Sequence, residues 1–407
     1  MILSYAVYAI CILLILWGIK FAGFENKFND DFLDKSSTKA ICGFFALTII
    51  FHHISQREAF QDITRELYFF NQIGYLFVLL FFFSSGYGLT VSADSNPNYL
   101  DNFKRRVLTV FVPYFVTNVI FTAYNAIGGI EPLKAILGVL GLIGINPNGW
   151  YPVVLLIFYG VFYFSRKHIK KSGLRLVLYF LTTILLIVVF CVNGHFAWWS
   201  DTPGWWFNYS EVSKAAWWRQ NQILLFSGEW WVNSCIGFFV GALFGTYKDK
   251  IVNWFKKGYW IKLIVLIVLF VASYRFFNEY VIVHYGYWTE YGYRDPRILD
   301  KLITSFGQLA VSLTFILALV VLMMKVRTEN PVTRFLGTIT YETYLIGNLV
   351  IVGFEFLINK NNHPYANPSH SNLAIYAVAV VIVTIVLGFA LNKLDGFLVK
   401  KLTSKKK

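Results

Sequence analysis

Residues 372–392 read NLAIYAVAVVIVTIVLGFALN, twenty-one positions without one acidic or basic side chain. At about 1.5 Å per helical residue, such a run covers roughly 30 Å, the hydrocarbon thickness of a bilayer. A helix on the surface of a soluble protein would carry charge along one face. This stretch therefore belongs in lipid.

Comparable apolar blocks lie at 2–21, 38–54, 68–92, 107–127, 150–165, 174–193, 229–246, 260–277, 303–325 and 336–358. Hydrophobic residues make up 57% of the 407 residues and charged ones 14%, against about 45–50% and about 25% in soluble domains. The expected architecture is all-α, a polytopic transmembrane helix bundle of about eleven helices. No polar stretch is long enough for a separate soluble domain. The first block has neither a basic leader nor a small-residue cleavage site, so a retained helix is expected there and not a signal peptide. Cys11, Cys42, Cys191 and Cys235 have no metal-ligand spacing, and no metal site is expected.

Lys and Arg fix the orientation, because they gather in cytoplasmic loops. Of the 36 basic residues, 25 fall in one set of alternate connections and 9 in the other. The N-terminus is accordingly expected outside and the C-terminus in the cytoplasm. This distribution also explains the net charge of +14 without a nucleic-acid partner; the expected partner of the chain's surface is the lipid bilayer.

The longest outer connection, 194–228, runs into the seventh span and carries the pairs Trp198-Trp199, Trp205-Trp206, Trp217-Trp218 and Trp230-Trp231. Paired tryptophans suit an interfacial belt. They also suit a stacking platform for sugar rings, with Asp201, Asn208, Glu211 and Asn221 near enough in sequence to bind hydroxyls. Both readings stand at this level.

The second span ends in His52-His53. Ionisable groups at membrane depth are costly and usually functional, although histidines at an interface can simply meet water. Lys39 lies 14 residues earlier, about 21 Å along a helix. The third span ends FFFSSGYGL, with Ser84, Ser85 and Tyr87, and Lys104-Arg105-Arg106 and Pro113-Tyr114 follow. Small residues at a helix end permit close approach of a neighbour or ligand, and a basic trio suits phosphate.

In this order, a His-terminated helix, FFFSSGYGL, KRR with PY, GFFVGALFG at 237–245 and GTITYETYL at 337–345, the chain resembles the acyltransferase-3 family of bacterial membrane acyltransferases. The resemblance covers most of the chain. It divides the chain into an extra N-terminal transmembrane helix with a cytoplasmic linker (1–35), the family-like membrane domain (36–395) and a basic tail (396–407). It implies transfer of an acyl group, commonly acetyl, from cytoplasmic acyl-CoA to a hydroxyl of an envelope or exported glycan. The family's Arg, ten residues, then His motif places His53 on the His and Cys42 on the Arg, so the cation is missing there. Lys39, one turn earlier, is the candidate replacement, with His52 as the neighbour of the base. The family's late His is also absent, Gly347 and Asn348 standing in that region.

On this likeness His53 acts as general base, either on the sugar hydroxyl directly or by first carrying the acyl group. Arg105, Arg106 and Lys104 would hold the CoA phosphates, and Ser84, Ser85 and Tyr87 would line the path of the pantetheine arm. Trp205, Trp206, Glu229, Trp230 and Trp231 would receive the glycan or lipid-linked glycan. A transporter or flippase is the rival reading; it calls for broken helices and paired ionisable residues at midmembrane depth. A homo-oligomer is left open.

The topology has a direct check. Single cysteines at Gly204 and Asn361 in a cysteine-free background should react with an impermeant thiol reagent added to intact cells, and one at Ser172 should not; labelling at Ser172 alone would invert the orientation.

Overall fold

The computed structural model describes residues 2–57, 66–193, 234–286, 298–358 and 370–404. Its helices are α1 (Ile2–Leu16), α2 (Lys35–Ser55), α3 (Tyr68–Ser95), α4 (Phe103–Ile127), α5 (Pro132–Val139), α6 (Trp150–His168), α7 (Ser172–Asn193), α8 (Ile236–Lys256), α9 (Tyr259–Phe276), α10 (Ile298–Met323), α11 (Pro331–Gly353) and α12 (His370–Thr403). Two three-residue strands, β1 (Ile19–Phe21) and β2 (Val326–Thr328), pair antiparallel. Among the described residues, nine helical segments are long and apolar enough to cross a membrane. The protein is a multi-pass membrane protein of the all-α class.

Two of the eleven expected spans are not among those nine. The first, 2–21, is helical only to Leu16, and fifteen residues reach about 22 Å. Gly18, at φ +79°, leaves the helical path and lets the chain turn into β1. The seventh, 229–246, falls partly outside the described residues; α8 begins at Ile236 and is bent at Tyr247 (φ −124°, ψ 29°). At the other end α12 continues unbroken to Thr403, so much of the expected tail is helix.

The chain forms two compact units, residues 1–78 with 322–407 and residues 79–321. The boundaries fall inside α3 and α10, at no linker.

In the first unit α2 lies along α11. A Cβ on Gly43 would run into the Gly337 nitrogen, and one on Gly337 into the Lys39 carbonyl. Lipid tails are as apolar as leucine, so helices in a bilayer adhere through close backbone approach, which only small residues allow. Asp34 caps the start of α2, accepting from the Ser37 N–H at 2.6 Å. Asn330 caps α11 by accepting from Thr333 N–H at 2.9 Å, and its amide donates to Leu14 O at 2.8 Å and Trp17 O at 3.1 Å. One side chain thus serves the start of one helix and the end of another.

Around the β1–β2 pair the N-terminal segment is fastened to the 324–334 connection. The buried Lys325 ammonium donates to the carbonyls of Gly23 and Lys27, both at 2.7 Å, and to that of Glu25. Arg327 pairs with Asp31 and with Glu329 (2.8 Å), and Glu329 also takes Arg334 (2.6 Å) and the Ser36 hydroxyl.

In the second unit Gly237, Gly241 and Gly245 of α8 form a row at four-residue spacing. Side chains there would strike the Leu79 carbonyl, the Phe83 carbonyl and the Thr90 side chain of α3. The GFFVGALFG stretch is thus a packing surface.

Desolvation raises the Glu329 pKa, but bonds from Ser36, Arg334 and Arg327 outweigh it and hold the carboxyl below its usual value. A carboxylate whose folded pKa is depressed stabilises the fold above its unfolded pKa, and that stability is lost as pH falls through the folded value. Glu329→Gln should therefore destabilise the fold at neutral pH. In thermal unfolding of the detergent-solubilised protein, its deficit against wild type should shrink as pH is lowered through the carboxylate range.

Candidate active site

Helix α2 carries His52 and His53 in its last turn. The two rings stand 5.0 Å apart and are tilted by 54°, as adjacent positions on a helix require. His52 turns to α3: its Nδ1 meets the Phe70 carbonyl at 2.9 Å, and its ring occupies the space a Cβ on Gly74 would need. That makes His52 a packing element within the unit. His53 is half-buried, with Nδ1 3.0 Å from Gln56 Oε1. With the amide oxygen facing it, Nδ1 is the nitrogen suited to carry the proton, which leaves Nε2 as the basic one.

Beyond the histidines, Arg57 forms an ion pair with Glu355 at 2.7 Å. Arg57 acts electrostatically on His53 and lies beside Tyr376 of α12, whose hydroxyl donates to Ile351 O at 3.0 Å. Gln56, Arg57 and Tyr376 went unnoticed in the sequence. Arg57 and Glu355 are almost three hundred positions apart, and only the α2–α11 packing brings their helix ends together.

Lys39 is placed elsewhere. Because α2 is continuous, fourteen residues hold it about 21 Å from His53 along the axis. Its ammonium is exposed and faces Glu342. Glu342 is buried and accepts from Asn392 Nδ2 at 2.9 Å, and buried Asp395 lies beside it. Cys42, where the family's Arg is expected, is buried too. Lys39 therefore lies near a buried acidic pair on α11 and α12 and apart from the histidines.

The expected donor residues lie in the second unit. Lys104, Arg105 and Arg106 open α4 and are exposed. The Arg106 guanidinium lies 6.0 Å from the centre of the Tyr99 ring, and both Arg106 and Ser85 reach buried Tyr159. Ser85 and Arg106 are thus brought together through a tyrosine that sequence spacing could not point to. Ser84 is half-buried on the same helix. Tyr87 is buried, stacked on Phe83 with centroids 6.1 Å apart, so its ring is a packing surface. Arg166 pairs with Asp94 and lies 5.3 Å from the Phe162 ring centre, adding a cation near the same helix end. Trp205, Trp206, Glu229, Trp230 and Trp231 lie outside the described residues.

A bundle of membrane helices with a histidine at one helix end and a basic helix start elsewhere defines a membrane protein equipped for chemistry on polar substrates. Residues 40–393 match the family model described as an acyltransferase domain, and the chain belongs to the acyltransferase-3 family. It is a membrane acyltransferase. No curated protein and no solved structure matches the chain.

Proposed function

We propose that the protein transfers an acyl group, acetyl foremost, from cytoplasmic acyl-CoA to a hydroxyl of an envelope or exported polysaccharide, in a bacterial cytoplasmic membrane. The observation that carries this reading is His53, a half-buried imidazole whose Nδ1 is engaged by Gln56. That engagement orients the ring and gives Nε2 the lone pair a general base needs.

The acceptor hydroxyl attacks the thioester carbonyl as its proton passes to Nε2 of His53. The tetrahedral intermediate then expels the CoA thiolate. The imidazolium returns the proton to that sulfur, leaving an ester and free CoA with the histidine restored. No metal is needed, because a thioester is already activated and the histidine moves the only proton. Arg105 and Arg106, with Lys104, supply the exposed positive charge for CoA phosphates, and Arg106 shares Tyr159 with Ser85. Lys39, with Glu342 near it, serves the cytoplasmic side of the first unit by this reading. The outer tryptophans remain the proposed sugar platform.

The histidines separate the mechanism from packing. General-base catalysis contributes about 10²–10⁴-fold, so His53→Ala should lose at least about a hundredfold in kcat with acyl-CoA affinity nearly unchanged. His52→Ala removes a packing ring and should lower thermal stability with a loss of tenfold or less in kcat. Full transfer by purified His53→Ala would sink the mechanism.

For the donor, Arg105→Ala with Arg106→Ala should weaken acyl-CoA binding and flatten its dependence on salt, since exposed charges are screened over about 10 Å at 0.1 M. Calorimetric titration showing unchanged affinity would remove both residues from the donor site.

A further inference from the structure

Tyr114, Asn118 and Thr122 follow one another at four-residue spacing on α4 and so share one face. All three are buried, Asn118 to 1% exposure. Against α4 folds the chain between α5 and α6, irregular but for a 3₁₀ turn at Pro147–Gly149. Asn146 and Asn148 of this segment are buried as well. The Tyr114 hydroxyl donates to Gly141 O at 2.7 Å, and Asn146 Nδ2 reaches the Thr117 hydroxyl at 3.4 Å. Asn146 Oδ1 accepts from the Asn148 N–H at 3.0 Å.

Irregular backbone at membrane depth is tolerated where it is buried in protein or lines an aqueous cavity. Here it brings the buried amides of Asn146 and Asn148 against α4. The Tyr114 hydroxyl donates its proton to Gly141 O and keeps its lone pairs for the Asn118 amide beside it. Among the described residues, hydrogen-bond geometry gives no partner to the Asn118 amide oxygen or to the Thr122 hydroxyl. Such polar atoms on one buried helix face are costly unless something completes them.

Their chemistry narrows what that is. Every group named is uncharged, so the patch offers nothing to balance a phosphate or carboxylate. An amide presents donors and an acceptor together and a hydroxyl presents one of each, which matches the hydroxyls of a sugar. Asn118 lies fourteen residues beyond Lys104, about 21 Å along α4, which is the outer half of the span if Lys104 marks the inner boundary.

We infer that the buried face of Tyr114, Asn118 and Thr122, with the docked Asn146–Asn148 segment, binds hydroxyls of the acceptor glycan. This rests on the proposed function in taking a glycan as the acceptor. The test uses full-length protein in nanodiscs and, as probe, oligosaccharides released from the envelope of the cells that make it. Asn118→Leu and Thr122→Val remove the polar atoms at similar volume; the first also takes the amide from the Tyr114 hydroxyl, whereas the second leaves the other contacts of the patch in place.

Both variants should bind the oligosaccharides at least tenfold more weakly in calorimetry, with acyl-CoA affinity within twofold and a thermal midpoint equal to or above that of wild type. Wild-type affinity in both, or a wild-type protein that does not bind the oligosaccharides, overturns the inference and leaves the patch to water. If Asn118→Leu does not fold, Thr122→Val decides alone. Acyl transfer from radiolabelled acyl-CoA, and its dependence on His53, judges the proposed function separately, so either reading can fail while the other stands.

Discussion

The close approach of α2 and α11 at Gly43 and Gly337 is the contact on which the first unit depends. In lipid, two helices gain nothing by hiding apolar faces from water, and only van der Waals contact and hydrogen bonds hold them. A side chain at either glycine would force the backbones apart. Everything positioned by this pair would move with them: the Arg57–Glu355 ion pair at one end, and Lys39 facing Glu342 toward the other. The α3–α8 row at Gly237, Gly241 and Gly245 plays the same part in the second unit.

Polar groups are rationed in such a structure, and those present fall into distinct kinds. Some close the fold, as the Lys325 ammonium does by collecting three backbone carbonyls. Others orient a reactive group, as Gln56 does for His53. A third kind has partners incomplete among the described residues, Asn118 and Thr122 being the clearest. Burial makes each of these costly to leave unsatisfied, which is why the third kind points to a ligand.

The departure from the family motif takes a physical form here. Cys42 stands buried on α2 where the resemblance calls for a cation, and Lys39, one turn earlier on the same helix, has Glu342 near it. The substitution therefore brings no charge to His53 from within α2. Arg57 is the cation near that histidine, and it arrives from the C-terminal side of the helix.

The membrane class, the segments at 38–54, 68–92 and 372–392, and the histidine at the end of α2 were legible in the sequence, because an apolar run of bilayer length has few other uses and a histidine beside it is conspicuous. The family too was legible from the order of its motifs. The end of α1 at Leu16 was not, because the run from Ile2 to Phe21 carries no charged residue but Lys20, and Ile19–Phe21 becomes a strand only by pairing with Val326–Thr328. Nor were the partners of the site residues. Gln56, Arg57, Tyr99 and Tyr159 are ordinary residues in sequence; what distinguishes them is contact. Composition and periodicity report what each segment must avoid, namely water or lipid. Which polar atoms meet across helices depends on how those segments pack, and that is decided only in three dimensions.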